Sequence, residues 1–140
     1  MTDNAKLIAE LNSMLKQEHA CAIRYATHAA VISGPYAEVV SARLKEIAAD
    51  EIDHAERLRD RITALGGVPT MDISIEDLKP AHTLAEILKI NIDEEKQAIE
   101  HYRKIFEMIS PDNAILYETV QDLIMDEQEH LEELENFIES

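Results

Sequence analysis

Two copies of one nine-residue phrase limit what this chain can become. Asp50-Glu51-Ile52-Asp53-His54-Ala55-Glu56-Arg57-Leu58 returns as Asp126-Glu127-Gln128-Glu129-His130-Leu131-Glu132-Glu133-Leu134. Both read Asp-Glu-x-x-His-x-Glu-x-Leu, and Glu51 and Glu127 stand 76 positions apart. The same spacing links Glu18, followed by Ala22-Ile23, to Glu94, followed by Ala98-Ile99. The chain therefore reads as a duplicated unit: a Glu on one segment and a Glu-x-x-His on the next, twice over. Residues three apart on a helix share a face, so Glu51 projects beside His54 and Glu127 beside His130. Four Glu and two His on four helices form the inventory of a dinuclear carboxylate site. Carboxylate oxygen and imidazole nitrogen suit iron or manganese, and the residues do not separate the two metals.

Four segments carry apolar residues at steps of three and four, the mark of one buried helix face. Segment A runs from about 4 to 33, with Leu7, Leu11, Met14, Glu18, Ala22, Tyr25, Ala29 and Ile32 inward, Thr2 or Asp3 to cap it and Gly34-Pro35 to end it. Segment B, about 35 to 65, places Val40, Leu44, Ile47, Glu51, His54, Leu58, Ile62 and Leu65 inward and stops at Gly66-Gly67 and Pro69. Segment C, about 83 to 109, opens on a Thr83-x-x-Glu86 capping box and turns Leu84, Ile87, Asn91, Glu94, Ala98, His101 and Ile105 inward. Segment D, about 111 to 138, opens on Ser110-Pro111 and turns Leu116, Val120, Leu123, Glu127, His130, Leu134 and Phe137 inward.

Each stripe is apolar at both ends and broken by a Glu near its middle. A buried unpaired carboxylate is very costly, so four at matching heights imply cations between them. Residues 66–82 form the one long connection. A helix of about 28 residues is about 42 Å long, and 17 extended residues reach about 56 Å. The connection can therefore cross the length of a bundle and set segments B and C parallel. The expected fold is all-α, a four-helix bundle with a long B–C crossover, forming a single domain over residues 1–140.

A formal charge of −16 argues against nucleic acid or anionic membrane as a partner. The lone Cys21 leaves no internal disulfide and no Cys-x-x-Cys iron or zinc site, and reads as a small buried hydrophobe. No apolar run is long enough to span a bilayer, and Met1-Thr2-Asp3-Asn4 lacks the basic start of a signal peptide, so the expected location is cytoplasmic.

Glu94 and Glu95 are adjacent, and periodicity alone barely separates them; the 76-residue spacing and the Ala-Ile echo select Glu94. Tyr25 lies two turns beyond Glu18 on the same face, where a ligand carboxylate would satisfy its hydroxyl. His101, two turns beyond Glu94, reads as an interfacial histidine. Asn91 could hydrogen-bond a ligand. Asp50 and Asp126 face elsewhere and read as surface acids.

This constellation resembles the ferritin-like superfamily, bacterioferritin most closely, along essentially the whole chain. The resemblance implies metal ligands at Glu18, Glu51, His54, Glu94, Glu127 and His130, with Tyr25 as the tyrosine beside the centre; His28 and Asp50 also match residues of that family. It implies two iron ions (or manganese) and a ferroxidase that oxidises Fe2+ with O2 or H2O2 for iron storage or detoxification. Bacterioferritins bind haem through a methionine where this chain has Ile52, so no haem held in that manner is expected. They also continue into a fifth helix that helps build a cage of 24 subunits. The sequence stops at Ser140, ten residues after His130, so a cage is not the firm expectation; a homo-oligomer, at least a dimer, is expected. A rubrerythrin-like di-metal peroxidase or oxidase is the alternative, although Gln97 stands where rubrerythrins usually carry a second Glu. A non-catalytic metal-binding bundle is the third reading.

Overall fold

A computed structural model describes residues 3–139 and side chains to Ile138. The fold is an all-α bundle of four helices: α1 (Asp3–Val31), α2 (Ala37–Ala64), α3 (Leu84–Glu107) and α4 (Ala114–Glu139). The crossover between α2 and α3 contains one 3-10 turn, Ile75–Asp77. No helix among the described residues is long and apolar enough to cross a membrane.

Two helix starts differ from the sequence expectation. Pro35 and Pro111 both lie in turns ahead of their helices rather than at the first helical position. Before α4, the Asn113 amide nitrogen donates to the Ser110 carbonyl, and the Asn113 side-chain oxygen then accepts from the Leu116 amide. Asn113 is thus the cap, because its short amide reaches the third helical N–H as a capping group must. At α3 the Thr83 hydroxyl does accept from the Glu86 amide, as the capping box predicts. Of the two caps expected for α1, Thr2 lies outside the described residues, and Asp3 is the first helical residue.

Helix α2 ends on a paired-glycine device. The Gly67 amide bonds the Ile62 carbonyl and the Gly66 amide bonds that of Thr63, with Gly66 at φ +88°. This is the Schellman pattern, and it satisfies carbonyls that the last turn would leave orphaned.

From there the crossover runs beside α1, held at successive turns. Asn12 bonds the backbone of Val68 and Thr70, the Lys16 carbonyl accepts from Ser74, and His19 donates to the Asp72 carbonyl. Arg24 donates to the Asp77 carbonyl and His28 to that of Lys79. The crossover ends where Ser33 and Thr83 form a single parallel bridge, so the end of α1 meets the start of α3. Helices α1 and α3 are therefore antiparallel, which makes α2 and α3 parallel.

The apolar interior is divided in two. One cluster joins Leu7, Leu11 and Met14 to Leu58, Ile62, Tyr102, Ile105, Leu116 and Leu123. The other joins Cys21, Tyr25 and Ala29 to Leu44, Ile47, Ile87, Ile92, Ile99 and Leu134. Between them each helix contributes a buried acid, so a polar layer lies across the middle of the bundle.

The left-handed backbone at Gly66 costs an L-residue about 1–2 kcal/mol. Gly66→Ala is expected to lower the unfolding free energy by about that much, measured by urea denaturation. The metal stoichiometry should not change, since the turn is remote from the polar layer.

Candidate metal centre

Five of the six carboxylate and imidazole groups singled out in the sequence meet in this layer. Glu18, Glu51 and Glu127 are fully buried, and His54 and His130 are at most 2 % exposed. They fall into two overlapping sets: Glu18, Glu51, His54 and Glu127, and Glu51, Glu95, Glu127 and His130. Within each set one ligand atom per residue lies within 4.8 Å of every other. Glu51 and Glu127 belong to both sets and lie at the middle of the cluster. Glu18 and Glu95 stand at the two ends.

The α3 acid is therefore Glu95, not Glu94. Glu94 points to the crossover side, where it pairs with Lys79 and lies 3.8 Å from Arg24 Nη1. The physical reason is register. Glu18 and Glu51 are separated by 33 residues and Glu95 and Glu127 by 32. The repeat thus slips by one position between its halves, and one position on a helix is a rotation of about 100°. The buried line of α3 runs through Leu88, Asn91, Glu95, Ala98 and Tyr102. Both acids are shielded from solvent, so burial does not separate them; direction does.

Each histidine points Nδ1 inward and Nε2 outward. His54 Nδ1 lies 2.9 Å from Glu18 Oε2, 2.9 Å from Glu127 Oε1 and 3.4 Å from Glu51 Oε1. His130 Nδ1 lies 3.5, 3.6 and 3.8 Å from Glu51, Glu127 and Glu95. The outward nitrogens are held crosswise: His54 Nε2 is 3.1 Å from Asp126 and His130 Nε2 is 2.9 Å from Asp50. Asp50 and Asp126 are not idle surface acids, as the sequence reading had them. A carboxylate behind an imidazole fixes the ring's tautomer and direction for a metal on its other face. The signal was present in the sequence, since the Asp recurs in both copies of the phrase. Its partner belongs to the other copy, which only the antiparallel register of α2 against α4 reveals.

Tyr25 is fully buried and donates to Glu95 Oε1 at 2.6 Å. His28 and Asn91 do not reach the centre. Asn91 bridges Arg24 Nε and His28 Nδ1, and these residues anchor the crossover. Cys21 is buried, its sulfur accepting from Arg24 Nη2 at 3.4 Å. His101 lies between Gln17 and Glu10 at the α1–α3 contact, as an interfacial histidine. Ile52 is 60 % exposed on the outer side of α2.

The electrostatics of the metal-free site follow from this geometry. Burial pushes Glu51 and Glu95 well above the ordinary carboxylate range, with the Glu127 charge adding to it. Glu18 is raised by burial and by Glu127. Burial also works against Glu127, but the neighbouring His130 and His54 rings outweigh it and hold Glu127 well below the usual range. Burial opposes the charge on His54, yet Glu127 and Glu18 lift it to about 11. His130 is raised too, with burial opposed chiefly by Glu127. Six of the eight carboxylate oxygens of Glu18, Glu51, Glu95 and Glu127 have no hydrogen-bond donor, and His130 Nδ1 has no hydrogen-bond partner. Buried polar atoms are nearly always paired. Orphaned oxygens and a nitrogen converging from four helices fit two divalent cations.

Residues 8–140 match the family model of the ferritin-like domain. The chain is 31% identical to the bacterioferritin of Desulfovibrio desulfuricans over 134 residues, 94% of this chain and 74% of that protein. This chain belongs to the ferritin-like family. Among solved structures it resembles a ferritin-like diiron-carboxylate protein from Bacillus anthracis, with a TM-score of 0.91 and 33% identity over 98% of both chains. It also resembles a dodecameric thioferritin, the bacterioferritin-related protein of Bacteroides fragilis. That match has a TM-score of 0.90 and 26% identity over 96% of this chain and 85% of the other.

Metal ligation requires deprotonated donors. In the metal-free ferritin-like site His54 holds its proton at neutral pH, and Glu51 and Glu95 are raised in the same sense. Each metal bound should therefore release protons. Apparent affinity should rise from about pH 6 to about pH 8, because protons compete less as the solution becomes more alkaline. Calorimetric titration in buffers of different ionisation enthalpy measures the release directly.

Proposed function

We propose that this chain is a bacterioferritin-like ferroxidase. Its substrate is Fe2+, held as a pair by Glu18, Glu51, His54, Glu95, Glu127 and His130. Two Fe2+ each supply one electron, reducing O2 to H2O2, or H2O2 to water, with protons taken from solvent. The observation that carries this reading is the pair of overlapping ligand sets sharing two buried carboxylates. Bridging acids hold two like cations close, and terminal Glu and His leave each cation short of a full octahedral set, so an oxidant has room to bind. The residues accept iron and manganese alike; iron is favoured by the relatives.

The chain's own groups have separate tasks. Asp126 and Asp50 keep the imidazoles turned inward. Tyr25 holds Glu95. The two apolar clusters above and below exclude water, which strengthens every charge interaction in the layer. The exposed Ile52 gives no axial ligand for a haem bound in the manner of bacterioferritins. The bacterioferritin-related protein of Bacteroides fragilis is dodecameric, and we propose a homo-oligomer for this chain as well, in the cytoplasm.

Anaerobic Fe2+ titration should saturate at about two ions per chain. Admission of O2 should then give a fast rise in ferric absorbance. Glu94→Ala should keep both ions and the fast phase, while Glu95→Ala should lose one ion and the phase with it. Oxidation continuing into soluble mineral would mark storage. A rise that stops at about two would mark the iron pair as a resident cofactor, the rubrerythrin-like alternative. Equal loss in both variants, or in neither, would refute the assignment of the α3 ligand.

A further inference from the structure

Each of the two apolar clusters presents one tyrosine to the carboxylate layer. Tyr25 belongs to one and Tyr102 to the other, and both are fully buried. Tyr25 lies seven residues beyond Glu18 on α1, and Tyr102 seven beyond Glu95 on α3. The helices are antiparallel, so the pairs are reciprocal: Tyr25 rises from the Glu18 helix to bond Glu95, and Tyr102 rises from the Glu95 helix on the opposite side of the layer. The carboxylate that weighs most on Tyr102 is Glu18, ahead of Glu127 and Glu51.

Yet the two tyrosines differ in what they hold. Tyr25 has its acceptor. The Tyr102 hydroxyl has none, and among the described residues it is the one buried hydroxyl left without a partner. Glu18 Oε1 is likewise unpartnered, while its other oxygen is taken by His54 Nδ1 at 2.9 Å. A cation held between His54 Nδ1 and Glu18 Oε2 takes the place of the contact between them. A terminal carboxylate that ligates through one oxygen then needs a donor for the other.

We propose that Tyr102 is that donor, a positioning residue that bonds Glu18 in the metal-loaded centre as Tyr25 bonds Glu95. The proposal rests on the dinuclear reading given above. It makes Tyr102 a group whose hydrogen bond is absent without metal and formed with it. A buried hydroxyl lacking a partner lowers stability, and its removal can be neutral or stabilising.

The test uses Co2+ alone with the wild-type chain, Tyr25→Phe and Tyr102→Phe. In the metal-free proteins Tyr25→Phe should lower the melting temperature, and Tyr102→Phe should leave it unchanged or raise it. On loading, Tyr102→Phe should weaken one of the two Co2+ steps about tenfold or more, the usual effect of losing a group that orients a ligand. The near-ultraviolet tyrosine difference spectrum that appears on loading should persist in Tyr25→Phe and vanish in Tyr102→Phe. Unchanged affinity with an unchanged difference spectrum in Tyr102→Phe would overturn the proposal while the dinuclear reading stood. A metal-free melting temperature lowered as far as in Tyr25→Phe would also overturn it, by showing a bond already made. Failure of the wild-type chain to bind two Co2+ would remove the dinuclear reading and the proposal together.

Discussion

Four carboxylates share the dry centre of a helical bundle, and the rest of the structure follows from that constraint. Each is repelled by the others and deprived of water, so the layer would open without compensation. In the metal-free protein the compensation is protonic: His54 is an imidazolium between Glu18 and Glu127 on one side and Asp126 on the other. In the loaded protein the same positions suit two cations. Protons and metal therefore compete for one set of atoms, and the site's chemistry is tied to pH by geometry.

The layer survives because it is clamped from both ends. The two apolar clusters bury Leu, Ile and Met side chains from all four helices, and burial of each contributes about 1.5–3 kcal/mol. Neither cluster alone would fix the height of the acids; together they hold the layer between them. The histidines are fixed laterally by the crossed pairs with Asp50 and Asp126. Those acids are about half exposed, while the imidazoles in front of them are buried.

The crossover gives a second kind of support. It lies along α1 from Asn12 to His28, and its backbone bonds are supplied by α1 side chains at nearly every turn. Arg24, Asn91, His28 and Glu94 are buried polar residues near the centre with a structural task. Arg24 and His28 bond backbone carbonyls of the crossover, Asn91 ties those two side chains together, and Lys79 with Glu94 closes the set. Polar burial near the middle of the bundle is thus divided between residues that face the carboxylate layer and residues that face the loop.

Much of this was legible in the residues. The stripes at steps of three and four gave four helices and placed Glu18 inward, and the duplicated Asp-Glu-x-x-His phrase gave four of the six residues that meet in the layer, because i and i+3 on a helix share a face whatever the helix packs against. Tyr25 was legible for the same reason. What the sequence left open was the residue-by-residue register between the two halves. Glu94 and Glu95 are both plausible on periodicity, and a slip of one residue in the repeat turned the choice. The same slip hid Tyr102 behind His101 as the counterpart of Tyr25. The crossed Asp–His pairs join residues 72 and 80 positions apart, and no local rule relates them. The sequence by itself determined which faces are buried and which acids lie in them. The tertiary structure alone decided which acid turns toward the centre, since a rotation of about 100° per residue is settled only by the helix on the other side.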